Sequence, residues 1–140
     1  MKCAVSFVFL VAVVLTSAGC GSSETVSLQK GSGPEIITWD ALRTLQSPDI
    51  IMGVGRNSEL GNFGGLKTHV QDSKFIEAVN AFEAESMPAK YVTPEREAAR
   101  TELINDLKSL IDAAKANATN DQLKVKANAV QASLKKLTSG

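Results

Sequence analysis

Histidine is almost missing from this chain of 140 residues: His69 stands alone. Cysteine is nearly as scarce, present only at Cys3 and Cys20. These two scarcities exclude the clustered His/Cys sets that zinc, iron–sulfur and c-type haem sites require. A b-type haem would need His69 paired with Met87 or Met52, and neither C-terminal apolar stripe carries an inward His or Met. No cofactor and no metal is therefore expected. Net charge is also absent, because 15 Lys and Arg balance 15 Asp and Glu, so no basic field recruits nucleic acid. Aromatic residues make up 5% of the chain, too few for a base-stacking surface. Phosphate-binding signatures fail as well. Gly53-Val54-Gly55 is followed by Ser58 where the dinucleotide fingerprint needs glycine, and no loop carries Gly-Lys-Ser/Thr. Acids such as Glu77, Glu83, Glu85, Glu102, Asp106 and Asp112 are dispersed along solvated faces, and no spacing forces two carboxylates into a glycosidase-like pair. Long apolar runs are limited to one, Ala4 to Leu15, broken only by Ser6. At about 12 residues it falls short of the ~20 needed to span a bilayer.

That run carries the most informative pattern in the chain. Lys2 is the sole charge of the first twenty residues, and the small residues Thr16, Ser17, Ala18 and Gly19 lead directly to Cys20. A charged start, a short apolar core and a small-residue site are the parts of a signal peptide. With the cysteine added, residues 1–20 resemble a bacterial lipoprotein signal peptide whose lipobox is Ser17-Ala18-Gly19-Cys20, with Ser17 standing where leucine is most usual. The resemblance implies cleavage between Gly19 and Cys20, diacylation of the Cys20 thiol through a thioether, and palmitate-type acylation of the new amino group. Two or three acyl chains make a stable anchor, whereas one binds only marginally. The family pattern places such a protein outside the cytoplasm, membrane-anchored on the periplasmic side. Gly21-Ser22, with no Asp directly after Cys20, favours the outer membrane where two membranes exist. Cys3 leaves with the peptide, so no internal disulfide forms, and lipidation removes the one remaining thiol. The resemblance ends at residue 20.

The expected organisation is a signal peptide over 1–19, a lipidated Cys20 with a flexible tether over 20–33, and a single helical domain over 34–140. Residues 21–33, GSSETVSLQKGSG, lack periodicity and span roughly 20 Å on average. After Pro34, Thr38 is placed to cap a short helix from Trp39 to about Gln46, ended by Ser47-Pro48. Residues 49–65 hold five of the ten glycines and read as a Gly-rich loop. The next apolar stretch cannot be one helix. At 100° per residue, Leu66 and Val70 point opposite to Phe75, Ile76, Val79 and Phe82, so a break is expected at Gln71-Asp72-Ser73. The helix after it runs to about Glu85. Thr93-Pro94-Glu95 gives the strongest start signal, a hydroxyl cap followed by proline at the first helical position and an acid in the first turn. Its stripe, Ala99, Leu103, Leu107, Leu110 and Ala114, continues to about Ala116. A turn at NATND then leads, with Thr119 or Asn120 as cap, into a last helix carrying Leu123, Ala127, Val130, Leu134 and Leu137. The fold class is all-α: a small antiparallel three-helix bundle, with a short extra N-terminal helix and the Gly-rich loop.

Three constellations invite function. His69 with Asp72 is a possible acid–base pair, against the plainer reading of a surface histidine. Gly64 and Gly65 before Leu66 would bare amides to an anion. Arg96 and Arg100 fall near the apolar face at the start of the Pro94 helix, where cations are unfavourable. They either snorkel beyond the bundle or form, with Lys90 and Tyr91, a site for an anion or a partner's carboxylate. On the second reading, their removal abolishes an interaction and leaves the fold intact. The function expected is that of a lipid-anchored cell-envelope protein, a structural or protein-binding module without catalytic activity. Its partners would be the membrane, through the anchor, and an envelope protein. The alternative is a small-ligand or anion-binding lipoprotein using the Gly-rich loop with Arg96 and Arg100.

Overall fold

The structure, a computed structural model, describes residues 36–139. The signal peptide, Cys20 and the tether lie outside the described residues. All regular structure among the described residues is helical: α1 (Asp40–Leu45), α2 (Ile51–Glu59), α3 (Phe63–Gln71), α4 (Ser73–Ala84), α5 (Pro94–Lys115) and α6 (Asn120–Thr138), with one 3₁₀ turn at Ala89–Tyr91.

α5 and α6 are the longest helices and form the most extensive contact. They run antiparallel, since Glu102 early in α5 pairs with Lys136 late in α6 at 2.7 Å. Thr93 caps α5, accepting from the Arg96 N–H at 3.2 Å, with Pro94 at the first helical position. Thr119 and Gln122 form a reciprocal capping box that starts α6. Between the two helices, the Asn117 N–H donates to the Ala114 carbonyl and the Ala118 N–H to the Ala113 carbonyl. Asn117 sits at φ 52°, so α5 ends in a Schellman turn with asparagine in the left-handed position. Leu103, Leu107 and Leu110 of α5 and Leu123, Val130 and Leu137 of α6 have no exposed surface. Each such leucine contributes about 1.5–3 kcal/mol of burial.

The space beside this hairpin is filled differently from the three-helix expectation. α3 packs on α5 and α2 on α6, while α4 packs chiefly on α1, less on α3 and only narrowly on α5. The helix expected as the third of the bundle thus packs mainly on α1 rather than on the hairpin, with Phe75 and Phe82 fully buried, and much of the expected Gly-rich loop is helix packed on α6. Residues 51–59 are α2, with Ile51 and Val54 in the core. Its glycines mark close approach by other elements rather than turns. A Cβ at Gly53 would lie 2.5 Å from the His69 Nε2, and one at Gly55 would lie 3.2 Å from the Gln131 Nε2. Glycine inside a helix costs about 1 kcal/mol relative to alanine, and the buried Ile51 and Val54 offset it.

α2 ends where the glycine content serves a turn. Gly61, at φ 65°, donates its N–H to the Ser58 carbonyl, and the Asn62 N–H donates to the Asn57 carbonyl. Asn62 then caps α3 at once. The break between α3 and α4 falls where the phase argument puts it. Asp72, in extended conformation, ends one helix, and its carboxylate accepts the Lys74 N–H at 2.8 Å to start the next.

α1 corrects a second expectation. Thr38 is not its cap: Trp39 occupies that position without a side-chain bond, and the Ala41 N–H donates to the Glu85 carboxylate at 3.0 Å. The cap comes from 44 residues away. Trp39 stacks on Phe82 at 5.8 Å and tilts against Tyr91 at 6.3 Å, tying α1 to α4 and to the 3₁₀ turn.

Candidate functional site

The glycines that let α2 form also let α3 lie close against it. The His69 Nε2, late in α3, meets the Ile50 carbonyl at the start of α2 at 2.8 Å. At the other end, the Asn62 side chain donates to the Asn57 Oδ1 at 2.9 Å and accepts the Gly65 N–H at 3.0 Å. These two fixed ends make α2 and α3 antiparallel. Between them opens a groove of about 770 Å³. One helical face of α2 supplies Gly53, Arg56 and Asn57, the matching face of α3 supplies Gly65, Thr68 and His69, and Asp49, Asp72, Lys74 and Phe75 line it as well.

His69 is half-buried, its ring edge-on to Phe75 at 5.4 Å between centroids. A carbonyl only accepts, so Nε2 carries a proton and donates it to Ile50. His69 and Asp72 both line the groove, yet the hydrogen bond that orients the imidazole goes to the backbone. Asn57 donates to the Gly53 carbonyl at 2.9 Å, continuing the chain of side-chain amides along the floor. Arg56 and Lys74, both exposed on the groove, have side chains with neither an ion pair nor a hydrogen bond among the described residues.

Of the other residues singled out from sequence, Arg100 closes the end of α4. The Arg100 Nη2 lies within hydrogen-bond distance of the carbonyls of Phe82 (2.8 Å), Glu83 (3.0 Å) and Glu85 (2.7 Å). Its guanidinium sits 5.4 Å from the centre of the Phe82 ring. A cation unfavourable at the start of α5 is favourable at the end of α4, where the last carbonyls lack helical partners. Arg96 donates to the Tyr91 carbonyl at 3.2 Å, and Lys90 lies over the Tyr91 ring at 4.5 Å. Arg96, Lys90 and Tyr91 thus lie together before and at the start of α5, whereas Arg100 is directed to α4. Gly64 has open space around it, but the Gly65 N–H is taken by the Asn62 cap, and a Cβ at Gly65 would lie 2.2 Å from the Asn62 Nδ2. Cys20 and Gly19 lie outside the described residues.

Sequence reading passed over Arg56, Asn57, Asn62 and Lys74. The signal was present: Gly53, Arg56, Asn57 and Leu60 recur at helical spacing, as do Asn62, Gly65, Thr68, His69 and Asp72. Among the described residues, no three His, Cys, Asp or Glu side chains gather closely enough to hold a metal ion, and no helix is long and apolar enough to cross a membrane. No known family matches the chain, and no curated protein and no solved structure is detectably similar to it.

Proposed function

We propose that this is a lipid-anchored cell-envelope protein whose helical domain acts by binding a small polar solute in the α2–α3 groove, without catalysis. The observation that carries the binding half is the groove itself: a concavity of about 770 Å³ where side-chain amides, a hydroxyl and an imidazole converge, with Arg56 and Lys74 on it and unmatched within the fold. Concave sites with a few convergent polar groups are the usual form of small-ligand sites. The groove replaces Arg96 and Arg100 as the seat of binding, because Arg100 caps α4. The protein-partner reading draws less support. Among the described residues, the exposed large apolar ones are few, Ile36, Met52, Leu60, Val92 and Val125, and lie on different elements, with Ile36 and Val92 brought near each other by Tyr91. The anchor half rests on Ser17-Ala18-Gly19-Cys20 and on a following segment without periodicity.

The binding half is tested by adding the small-molecule fraction of a cell-envelope extract to isotopically labelled protein and following amide resonances. Shifts concentrated at Gly53, Gly65 and His69 support it, and an unchanged spectrum overturns it. The anchor half is tested by metabolic labelling with a fatty-acid analogue. The account expects label on the parent protein and none on Cys20→Ser. A Cys20→Ser protein that is cleaved normally and still labelled overturns it.

A further inference from the structure

The charges along the groove are ordered. Because α2 and α3 are antiparallel and His69 bonds the Ile50 carbonyl, the first residues of α2 face the last of α3. Asp49 and Asp72 therefore share one end of the groove, with Lys74 beside them. Arg56, Asn57 and Asn62 share the other, joined by the Asn62–Asn57 bond. The acid end holds two carboxylates against one ammonium, and the Asp72 carboxylate already accepts one backbone N–H. The basic end holds a guanidinium and no acid. Ile51 and Arg56 are about 7.5 Å apart along α2 at 1.5 Å per residue, and Asp49 precedes the helix by two residues, which puts the two charged ends roughly 10 Å apart. At the basic end, Asn57 and Asn62 each use one amide hydrogen inside the fold, which leaves each a second to offer. Phe75 and Leu60 supply apolar surface.

We propose that the groove takes a short zwitterion of the length of a linear tripeptide, its ammonium at Asp49 and Asp72 and its carboxylate at Arg56. This rests on the reading of the groove as a ligand site. Three extended residues span about 10 Å, the separation of the two charged ends. The peptide carbonyl next to the carboxylate accepts from the spare hydrogens of Asn57 and Asn62, and a guanidinium binds a carboxylate through two parallel bonds. A simple anion has no use for the acid end, and a single amino acid is too short to reach both ends.

The test titrates the purified full-length chain, in detergent, with tri-alanine, N-acetyl-tri-alanine, tri-alanine amide and alanine. Tri-alanine is expected to bind saturably, and loss of either terminal charge weakens it about tenfold. Alanine binds no better than the blocked peptides. Arg56→Gln erases the preference for the acid over the amide and keeps the preference for the free amine. Asp49→Asn does the reverse. Both positions are exposed, so neither variant threatens folding. Equal binding of the charged and blocked peptides, alanine binding as tightly as tri-alanine, or no binding of tri-alanine each overturns the proposal. If tri-alanine fails while the envelope extract still shifts the groove resonances, the zwitterion falls and the ligand site stands. If neither acts, both fall.

Discussion

Gly53 decides whether α2 and α3 can meet. A methyl group there would lie 2.5 Å from the His69 Nε2, with ring carbons at 2.7 and 3.2 Å. Gly53→Ala is therefore expected to destabilise by about 1–3 kcal/mol, despite alanine's better helix propensity, because the imidazole is wedged and its bond to Ile50 lost. Denaturant unfolding measures this, and a neutral or stabilising result contradicts the packing. Arg100 is the second decisive residue. Arg100→Ala leaves the terminal carbonyls of α4 without their donor and is expected to cost about 1.5–3 kcal/mol. Lysine should recover only part of this, because one ammonium cannot reproduce the planar fork on Phe82. Glu95 carries a pH signature. Its own backbone N–H, the Thr93 hydroxyl and Arg96 hold its carboxyl below the ordinary value of 4.5. A depressed carboxylate stabilises fully above that ordinary value, and the contribution fades as pH falls through the folded value. Glu95→Gln is thus expected to lower the melting temperature slightly at pH 7 and not at strongly acid pH.

At the scale of helices, the ends are where energy is concentrated and where it is easily changed. Asn117 holds a left-handed conformation that glycine adopts without cost, so Asn117→Gly is expected to stabilise by about 0.5–1 kcal/mol. Thr119→Ala, which breaks the capping box of α6, is expected to cost about 0.5–2 kcal/mol. Thermal unfolding of both variants checks the pair of signs. The same ends explain what the sequence reveals. Thr93-Pro94, Thr119 and Asp72 act through neighbours a few residues away, so their helix starts are legible in order along the chain. The α1 cap is not, because Glu85 lies 44 residues from Ala41. α2 was hidden for a related reason. Gly53 and Gly55 look like loop residues until His69 and Gln131 lie over them, and only tertiary packing places those side chains there. The groove was hidden with it, since Arg56 and Asn57 reach its wall only if residues 51–59 are helical. Arg96 and Arg100 drew attention for a sound reason, charge on an apolar face, but sequence carries no sign that α4 ends against that face.

At the scale of the molecule, a proposed address and a described domain divide the labour. The lipobox pattern proposes where the protein acts, and the α2–α3 groove proposes how. The core of α5, α6, α2 and α3 holds the groove walls on helices rather than on a free loop, so the walls are set before any solute arrives. The most direct test of this account fills the groove without touching the core. Thr68 is exposed on the groove wall, and its hydroxyl bonds only the Gly64 carbonyl of its own helix. Thr68→Trp should fold with unchanged helical circular dichroism and occupy the space a solute needs. Small molecules retained from an envelope extract are measured by mass spectrometry on the parent, on Thr68→Trp, and on Val125→Trp at an exposed position of α6. The account predicts retention by the parent and by Val125→Trp and its loss in Thr68→Trp. Equal retention by all three, with the fold intact, contradicts it.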